Sequence, residues 1–90
     1  MRRVVIIGSY DEAAERRLRE IESNYDSDKI KVKTKQSLIT DDAEYHSISL
    51  IGTRGIRADE VMVDSRIAVG DVYAYGLRIV QMDWSKVKLF

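Results

Sequence analysis

Apolar and polar positions alternate along this chain with a period that changes from one segment to the next. Residues 3–8 read R-V-V-I-I-G, and this run of β-branched residues predicts a strand buried on both faces, as in the centre of a parallel sheet. Residues 29–35 read K-I-K-V-K-T-K, and this strict alternation predicts a half-exposed strand. In that strand Ile30, Val32 and Thr34 are expected to face one way and the lysines the other.

A helix is predicted between these two strands. Its apolar residues recur at helical spacing along one side, at Ala14, Leu18, Ile21 and Tyr25. Ser9, with Glu12 three residues later, matches a capping box. The helix should therefore begin at residue 10 or 11 and end near residue 24.

The second half of the chain continues the pattern with weaker signals. A short helix is predicted over residues 66–76, with Ala68, Val72 and Tyr75 together on one side and Gly70 weakening it. Strands are predicted over residues 30–51, as a β-meander or hairpin, and over residues 61–63, 77–82 and 87–90. This order predicts an α/β fold, with a small mixed β-sheet and one principal helix packed on it.

Composition limits the size and the chemistry of the protein. A chain of 90 residues forms a single small domain, and 15 basic against 15 acidic residues give a net charge of zero. Overall charge therefore indicates neither nucleic acid nor a membrane as the partner. With no cysteine and His46 as the one histidine, neither a disulfide nor a histidine-based metal site is expected. The apolar run at residues 4–7 is too short for a secretory signal or a membrane span, which predicts a cytoplasmic protein.

Two arginines lie in the loop that precedes the strand predicted at residues 61–63. Arg54 and Arg57 are candidates for binding a nucleotide or another phosphate, because a guanidinium fork matches two phosphate oxygens. The alternative is that both arginines pair on the surface with Asp59 or Glu60. The sequence leaves both interpretations open.

Asp64 ends that strand and is the candidate metal ligand. A carboxylate at the carboxyl end of a strand lies where open α/β sheets bind ligands. Magnesium is the one cofactor that this position suggests. The alternative is a turn at the end of the strand, or a cap of the next helix through Asp64 or Ser65.

The candidate nucleic-acid contacts are four lysines: Lys29, Lys31, Lys33 and Lys35. On one side of an extended strand they form a basic ridge that can follow a phosphate backbone. The alternative is a solvated face whose lysines prevent edge-to-edge aggregation. The zero net charge, together with the lack of aromatic residues among the lysines, favours the second interpretation.

Residues 3–65 resemble part of the ATPase domain of bacteriophage terminase large subunits, the DNA-packaging motors. The shared order is a strand, a capped helix, an alternating hairpin, an arginine–glycine loop and a strand that ends in aspartate. The most specific segment is R-G-I-R-A-D-E-V-M-V-D at residues 54–64. In that family the last strand is the Walker B strand, so the resemblance implies that Asp64 holds a magnesium ion.

The chain departs from this family at the residues that hydrolysis requires. No G-x-x-x-x-G-K-[ST] phosphate-binding loop occurs, and Ser65 stands where the family has its water-activating glutamate. Residues 66–90 match no motif of the family. The resemblance therefore implies a non-catalytic, ATPase-like protein of phage origin that acts in the host cytoplasm.

Such a protein is expected to act by binding, in DNA packaging or its regulation, with a protein partner, a second copy of the chain or nucleic acid. One alternative is a module that binds a magnesium nucleotide or nucleic acid through Asp64, Arg54 and Arg57. The other is a small inhibitor that pairs an edge strand with a target protein.

Overall fold

The computed structural model describes residues 1–90, apart from the side chain of Ile51. The strands are β1 Arg2–Ile7, β2 Ile30–Lys33, β3 Ser37–Thr40, β4 Ala43–Ile48, β5 Glu60–Val63 and β6 Val87–Leu89. Helix α1 is Asp11–Glu22. Helix α2 is continuous but irregular, with an α-helical segment Val69–Asp71, a π-helical segment Val72–Gly76 and an α-helical segment Leu77–Ile79.

All six strands form one mixed sheet in the order β2-β3-β4-β1-β5-β6. Strand β1 is central and runs parallel to both β4 and β5, while β6 runs parallel to β5. Strands β2, β3 and β4 form the antiparallel meander. The predicted mixed sheet, its buried central strand and the inserted meander are therefore confirmed. Within the described residues, no helix is long and apolar enough to cross a membrane.

The two helices cover opposite faces of the sheet because β1 is apolar on both faces. Val4 and Ile6 pack with the buried face of α1, whereas Val5 and Ile7 pack with the buried residues of α2. The core therefore has two layers of side chains, one on each side of β1. The prediction of a single principal helix is corrected to two helices.

Helix α1 follows its sequence pattern closely, but its cap does not. The predicted apolar stripe is buried, with Tyr25 partly so. The capping box is wrong, because Tyr10 occupies the cap position without a side-chain cap and the hydroxyl of Ser9 donates to Asp64 instead. The turn before the helix is tight, and a Cβ atom at Gly8 would lie 2.5 Å from the carbonyl oxygen of Tyr10 and 2.6 Å from the amide nitrogen of Ala14.

Helix α2 differs from both predictions made for its part of the chain. It begins later than residue 66 and continues through Leu77–Ile79, where the sequence predicts a strand. Short apolar runs do not distinguish a buried strand from a buried helix. The predicted stripe is also wrong, because Val72 is buried but Ala68 and Tyr75 are exposed. The π-helical segment changes the angular spacing of side chains, so the α-helical period fails there.

A β-bulge alters the lysine-rich strand β2. Ile30 pairs with Thr40 and Val32 pairs with Ile39. A step of two residues along β2 is thus matched by a step of one residue along β3. Ile30 and Val32 therefore point to opposite faces of the sheet. The predicted one-sided alternation of residues 29–35 is wrong for this reason.

Candidate anion-binding site

The loop of residues 53–57 contains Arg54 and Arg57 and is called the arginine loop. An open cavity of about 810 Å³ lies between this loop and helix α2. Its polar and charged lining includes Arg54, Arg57, Arg78 and Gln81, and its apolar lining includes Tyr75 and Met82. The structure therefore brings both predicted phosphate-binding arginines to one site and adds a third arginine from α2.

Backbone hydrogen bonds and apolar contacts hold the arginine loop against α2. Ile56 and Ala58 pack on the core beneath α2. The amide of Ala58 donates to the carbonyl oxygen of Ile79 at 3.0 Å, and the next amide, of Asp59, donates to the carbonyl oxygen of Arg3 at 2.9 Å. The loop therefore crosses the sheet face beside α2, and this position sets one wall of the cavity.

The carboxylates expected to neutralise the arginine loop are bound elsewhere. Asp59 Oδ2 accepts a hydrogen bond from the backbone amide of Arg3 at 2.8 Å. Glu60 Oε2 accepts one from Arg2 Nη1 at 3.4 Å. The alternative interpretation, in which these acids pair with the loop arginines, is therefore not what the fold contains.

No carboxylate in the described part of the chain lies within ion-pair distance of Arg54, Arg57 or Arg78. The guanidinium of Arg57 instead donates to the carbonyl oxygen of Ile56 at 3.1 Å. Like charges that gather without counter-charges create a positive potential, which attracts anions. The arrangement is suited to binding an anion with several oxygens.

Unusual backbone geometry lines the same cavity. Gln81 and Met82 have positive φ angles of 56° and 67°, and the amide of Met82 closes the end of α2 by donating to the carbonyl oxygen of Leu77 at 2.9 Å. Left-handed conformations in residues other than glycine cost about 1 kcal/mol each. Tyr75 lies in the π-helical segment, and such segments are frequent at functional sites.

Asp64 lies outside this cavity, at the carboxyl end of β5, with its carboxylate fully hydrogen-bonded. The side chain is 2% exposed. Oδ2 accepts from the amide of Ser9 at 3.1 Å, from its hydroxyl at 2.7 Å and from Arg66 Nη2 at 2.8 Å. Oδ1 accepts from the amide and Nε of Arg66, both at 3.0 Å. The Arg66 guanidinium, aided by these donors, holds the pKa of Asp64 well below its usual range.

The position of Asp64 is typical of ligand sites in open α/β sheets, but its partners do not fit a magnesium ion. Strands β1 and β5 are neighbours, and the helices that follow them lie on opposite faces, which opens a crevice at this edge. Arg66 pairs with Asp64 at this edge and lies over Tyr10, with its guanidinium carbon 5.2 Å from the ring centre. Magnesium requires oxygen ligands, whereas Asp64 has a cation already paired with both of its oxygens. The structure supports a strand-end turn here, and metal binding by Asp64 stays a prediction.

The candidate lysines do not gather into one ridge. Lys33 Nζ pairs with Glu22 of α1 at 2.7 Å, and Lys29 Nζ approaches Asp41 at 3.7 Å. The hydrogen bond from Lys33 lowers the pKa of Glu22. Two of the four lysines are thus already next to carboxylates, and nucleic-acid binding by the four stays a prediction.

His46 forms a polar chain on the sheet. Its Nδ1 lies 3.2 Å from Ser37 Oγ, and its Nε2 lies 3.8 Å from Glu44 Oε1. Serine, histidine and acid are the residue types of a hydrolytic triad. Here Ser37 and His46 lie directly opposite each other on β3 and β4, so their hydrogen bond is a cross-strand side-chain contact of the sheet.

Sequence reasoning missed the part of the cavity that α2 supplies. Arg78, Gln81 and Met82 lie within a segment predicted as a strand, and Tyr75 belongs to a predicted apolar stripe. An arginine inside the apolar run L-R-I-V was the available signal, because a charged residue in such a run marks an exposed position. Comparison of the chain with protein-family profiles, curated proteins and solved structures finds no match.

Proposed function

We propose that this protein is a non-catalytic binding module that takes a phosphate-bearing anion at the arginine cavity. The observation that carries the proposal is the convergence of Arg54, Arg57 and Arg78 without a carboxylate partner among the described residues. The planar guanidinium of arginine contacts two phosphate oxygens at once. Arginine without a neighbouring carboxylate is therefore the preferred residue for phosphate recognition.

Binding without catalysis agrees with the state of Asp64. Its carboxylate is engaged by Arg66 and Ser9, so it is not available as a general base. The chain also has no phosphate-binding loop motif. A protein of this kind recognises an anion and leaves its bonds intact.

The resemblance to terminase ATPase domains stays a prediction and agrees with this proposal. Under it, the arginine–glycine loop is the part of an ancestral ATPase sheet that has been kept for binding, in a phage-derived protein related to DNA packaging. The packaging role, the viral origin and the host cytoplasm all belong to that resemblance.

The test is calorimetric titration with sodium pyrophosphate at low ionic strength, where contacts between exposed charges are least screened. Each of Arg54→Gln, Arg57→Gln and Arg78→Gln should weaken binding about 10-fold, because each removes a charge-assisted hydrogen bond. Lys31→Gln is the matched control, since it removes one exposed positive charge on β2 and should change the affinity less than about 2-fold. Equal losses in all four variants, or no binding by the wild-type protein, would refute the proposal.

A second candidate function, pairing with the edge strand of a target protein, is favoured by the open edge of β2. Strand β2 ends the sheet and has β3 as its one neighbour, and Val32 on it is 42% exposed. An open edge adds strands from other chains or from a second copy. Sedimentation of the wild-type protein and of Val32→Pro tests this candidate: assembly should be lost in the variant, and a wild-type monomer at all concentrations rules out self-pairing.

A further inference from the structure

The arginine cavity has one wall that a simple anion would not use. Tyr75 and Met82 are 44% and 50% exposed, and both line the cavity together with the arginines. A phosphate or sulfate ion contacts only the guanidinium groups. A ligand that fills the whole cavity must therefore combine an anion with a flat apolar part.

We propose that the ligand of this cavity is a nucleotide unit, with its phosphates on Arg54, Arg57 and Arg78 and its base stacked on Tyr75. This inference rests on the proposed function, because it needs the arginines to bind phosphate. It adds the base as the second part of the ligand, and it places the nucleotide away from Asp64.

The exposed ring of Tyr75 supplies the stacking surface. Aromatic side chains stack on every base, because each base has a π-face, and the accompanying arginines follow the phosphates. Met82 adds a polarizable apolar surface that adapts to the shape of a ring. Gln81, which also lines the cavity, carries an amide that both donates and accepts hydrogen bonds, as the edge of a base requires.

The size and rigidity of the site agree with a mononucleotide. The volume of about 810 Å³ falls within the range of about 300–1,000 Å³ that small-molecule pockets occupy. Gln81 and Met82 are held in left-handed conformations by the closing hydrogen bond from Met82 to Leu77. The backbone of Gln81 and Met82 is therefore fixed before a ligand binds, which reduces the ordering cost of binding.

Calorimetric titration with four probes tests the inference: pyrophosphate, adenosine, ADP and a short single-stranded oligonucleotide. ADP should bind at least about 10-fold more tightly than pyrophosphate, since stacking on an aromatic side chain contributes that much per base. Tyr75→Leu should remove this advantage and leave pyrophosphate affinity unchanged. Tyr73→Leu is the matched control, because Tyr73 is an exposed tyrosine of the same helix that contacts Trp84 and does not line the cavity.

The outcomes separate this inference from the function on which it rests. If pyrophosphate binds through the arginines but ADP binds no more tightly, the anion-binding function stands and the nucleotide is refuted. If no probe binds, both are refuted. A Tyr75-dependent preference for ADP over the oligonucleotide identifies a free nucleotide as the ligand, and the reverse preference identifies a strand of nucleic acid; both results support the base–phosphate recognition proposed here.

Discussion

The two helices of this protein pack on opposite faces of the same strand, yet they are built in opposite ways. Helix α1 is regular over Asp11–Glu22 and buries one apolar stripe. Helix α2 contains the π-helical segment Val72–Gly76, and soon after its end the chain has two left-handed residues that are not glycine, Gln81 and Met82. The α1 side satisfies its local preferences, whereas the α2 side departs from them.

This difference agrees with the position of the candidate site. Sequences that fold reliably have local preferences that agree with the fold, and departures concentrate at functional sites. The π-helical segment, the left-handed residues and the glycine at φ 79° in the arginine loop all lie at one cavity. The α1 side thus stabilises the domain, and the α2 side carries the candidate site.

The largest expected effect is at the junction of β1 and α1, where the regular side has no free space. In Gly8→Ala the new Cβ atom meets the backbone of Tyr10 and Ala14, at 2.5 Å and 2.6 Å, and backbone atoms cannot turn aside as a side chain does. We expect a loss of at least about 3 kcal/mol in the free energy of unfolding, measured by urea denaturation.

Gly70→Ala is the control for this change on the α2 side. Gly70 lies in the first turn of α2, and no heavy atom lies within 4 Å of the position that a Cβ atom would take there, so alanine should raise stability by about 0.5–1 kcal/mol. A loss of less than about 1 kcal/mol in Gly8→Ala would show that the backbone between β1 and α1 shifts to accept a Cβ atom. That result would contradict the claim that this side of the protein has no free space.

The next largest effect is at Asp64, which joins the two sides. Its carboxylate links Ser9, before α1, to Arg66, before α2. Asp64→Asn should cost about 2 kcal/mol at neutral pH, a value reduced because Arg66 is 59% exposed and water screens the pair.

This cost should depend on pH with a defined sign. The folded-state pKa of Asp64 is depressed, so the unfolded chain, with an aspartate pKa near 3.9, binds the proton first as the pH falls. The stabilisation is therefore complete above about pH 5 and is lost progressively as the pH falls from there through the depressed folded-state pKa of Asp64. Urea denaturation from neutral to acid pH should show the gap between wild type and Asp64→Asn narrowing in acid.

The control for the pH dependence is Asp41→Asn, at an exposed carboxylate 3.7 Å from Lys29 Nζ. It should change stability by less than about 0.5 kcal/mol. A gap between wild type and Asp64→Asn that stays constant from neutral to acid pH would show that the pKa of Asp64 is not lowered on folding.

The sequence predicts the α1 side of the fold well because burial there follows simple periods. Four β-branched residues identified β1, and the stripe of period 3.6 identified α1. The cap failed because the hydroxyl of Ser9, which in a capping box accepts from a backbone amide, instead donates to Asp64, 55 residues away in the chain. The prediction for the lysine-rich strand β2 was wrong because a β-bulge places Ile30 and Val32 on opposite faces of the sheet. The bulge depends on pairing with β3, which the sequence of β2 alone does not show.

The sequence predicts only half of the candidate site. Arg54 and Arg57 stand out because a glycine and two arginines share one loop. Their freedom from Asp59 and Glu60 could not be predicted, because it depends on where β1 places Arg2 and Arg3. The contribution of α2 to the cavity could not be predicted, because a π-helical segment is too short to show a period in the sequence.

The smallest expected effect is a gain in stability, at the strained end of α2. Gln81 has a φ angle of 56°, which glycine adopts without steric cost, so Gln81→Gly should raise the free energy of unfolding by about 0.5–1 kcal/mol. Gln36→Gly is the matched control at an exposed position outside the left-handed region, and it should lower stability by about 0.5–1 kcal/mol through the entropy of the unfolded chain. Thermal denaturation of both variants measures the difference, because about 1 kcal/mol moves the midpoint of a domain this small by about 4–8 °C. Opposite signs for the two substitutions would show that the α2 side keeps strain at its cavity that the fold does not need, whereas equal losses would show that the left-handed end of α2 is not strained.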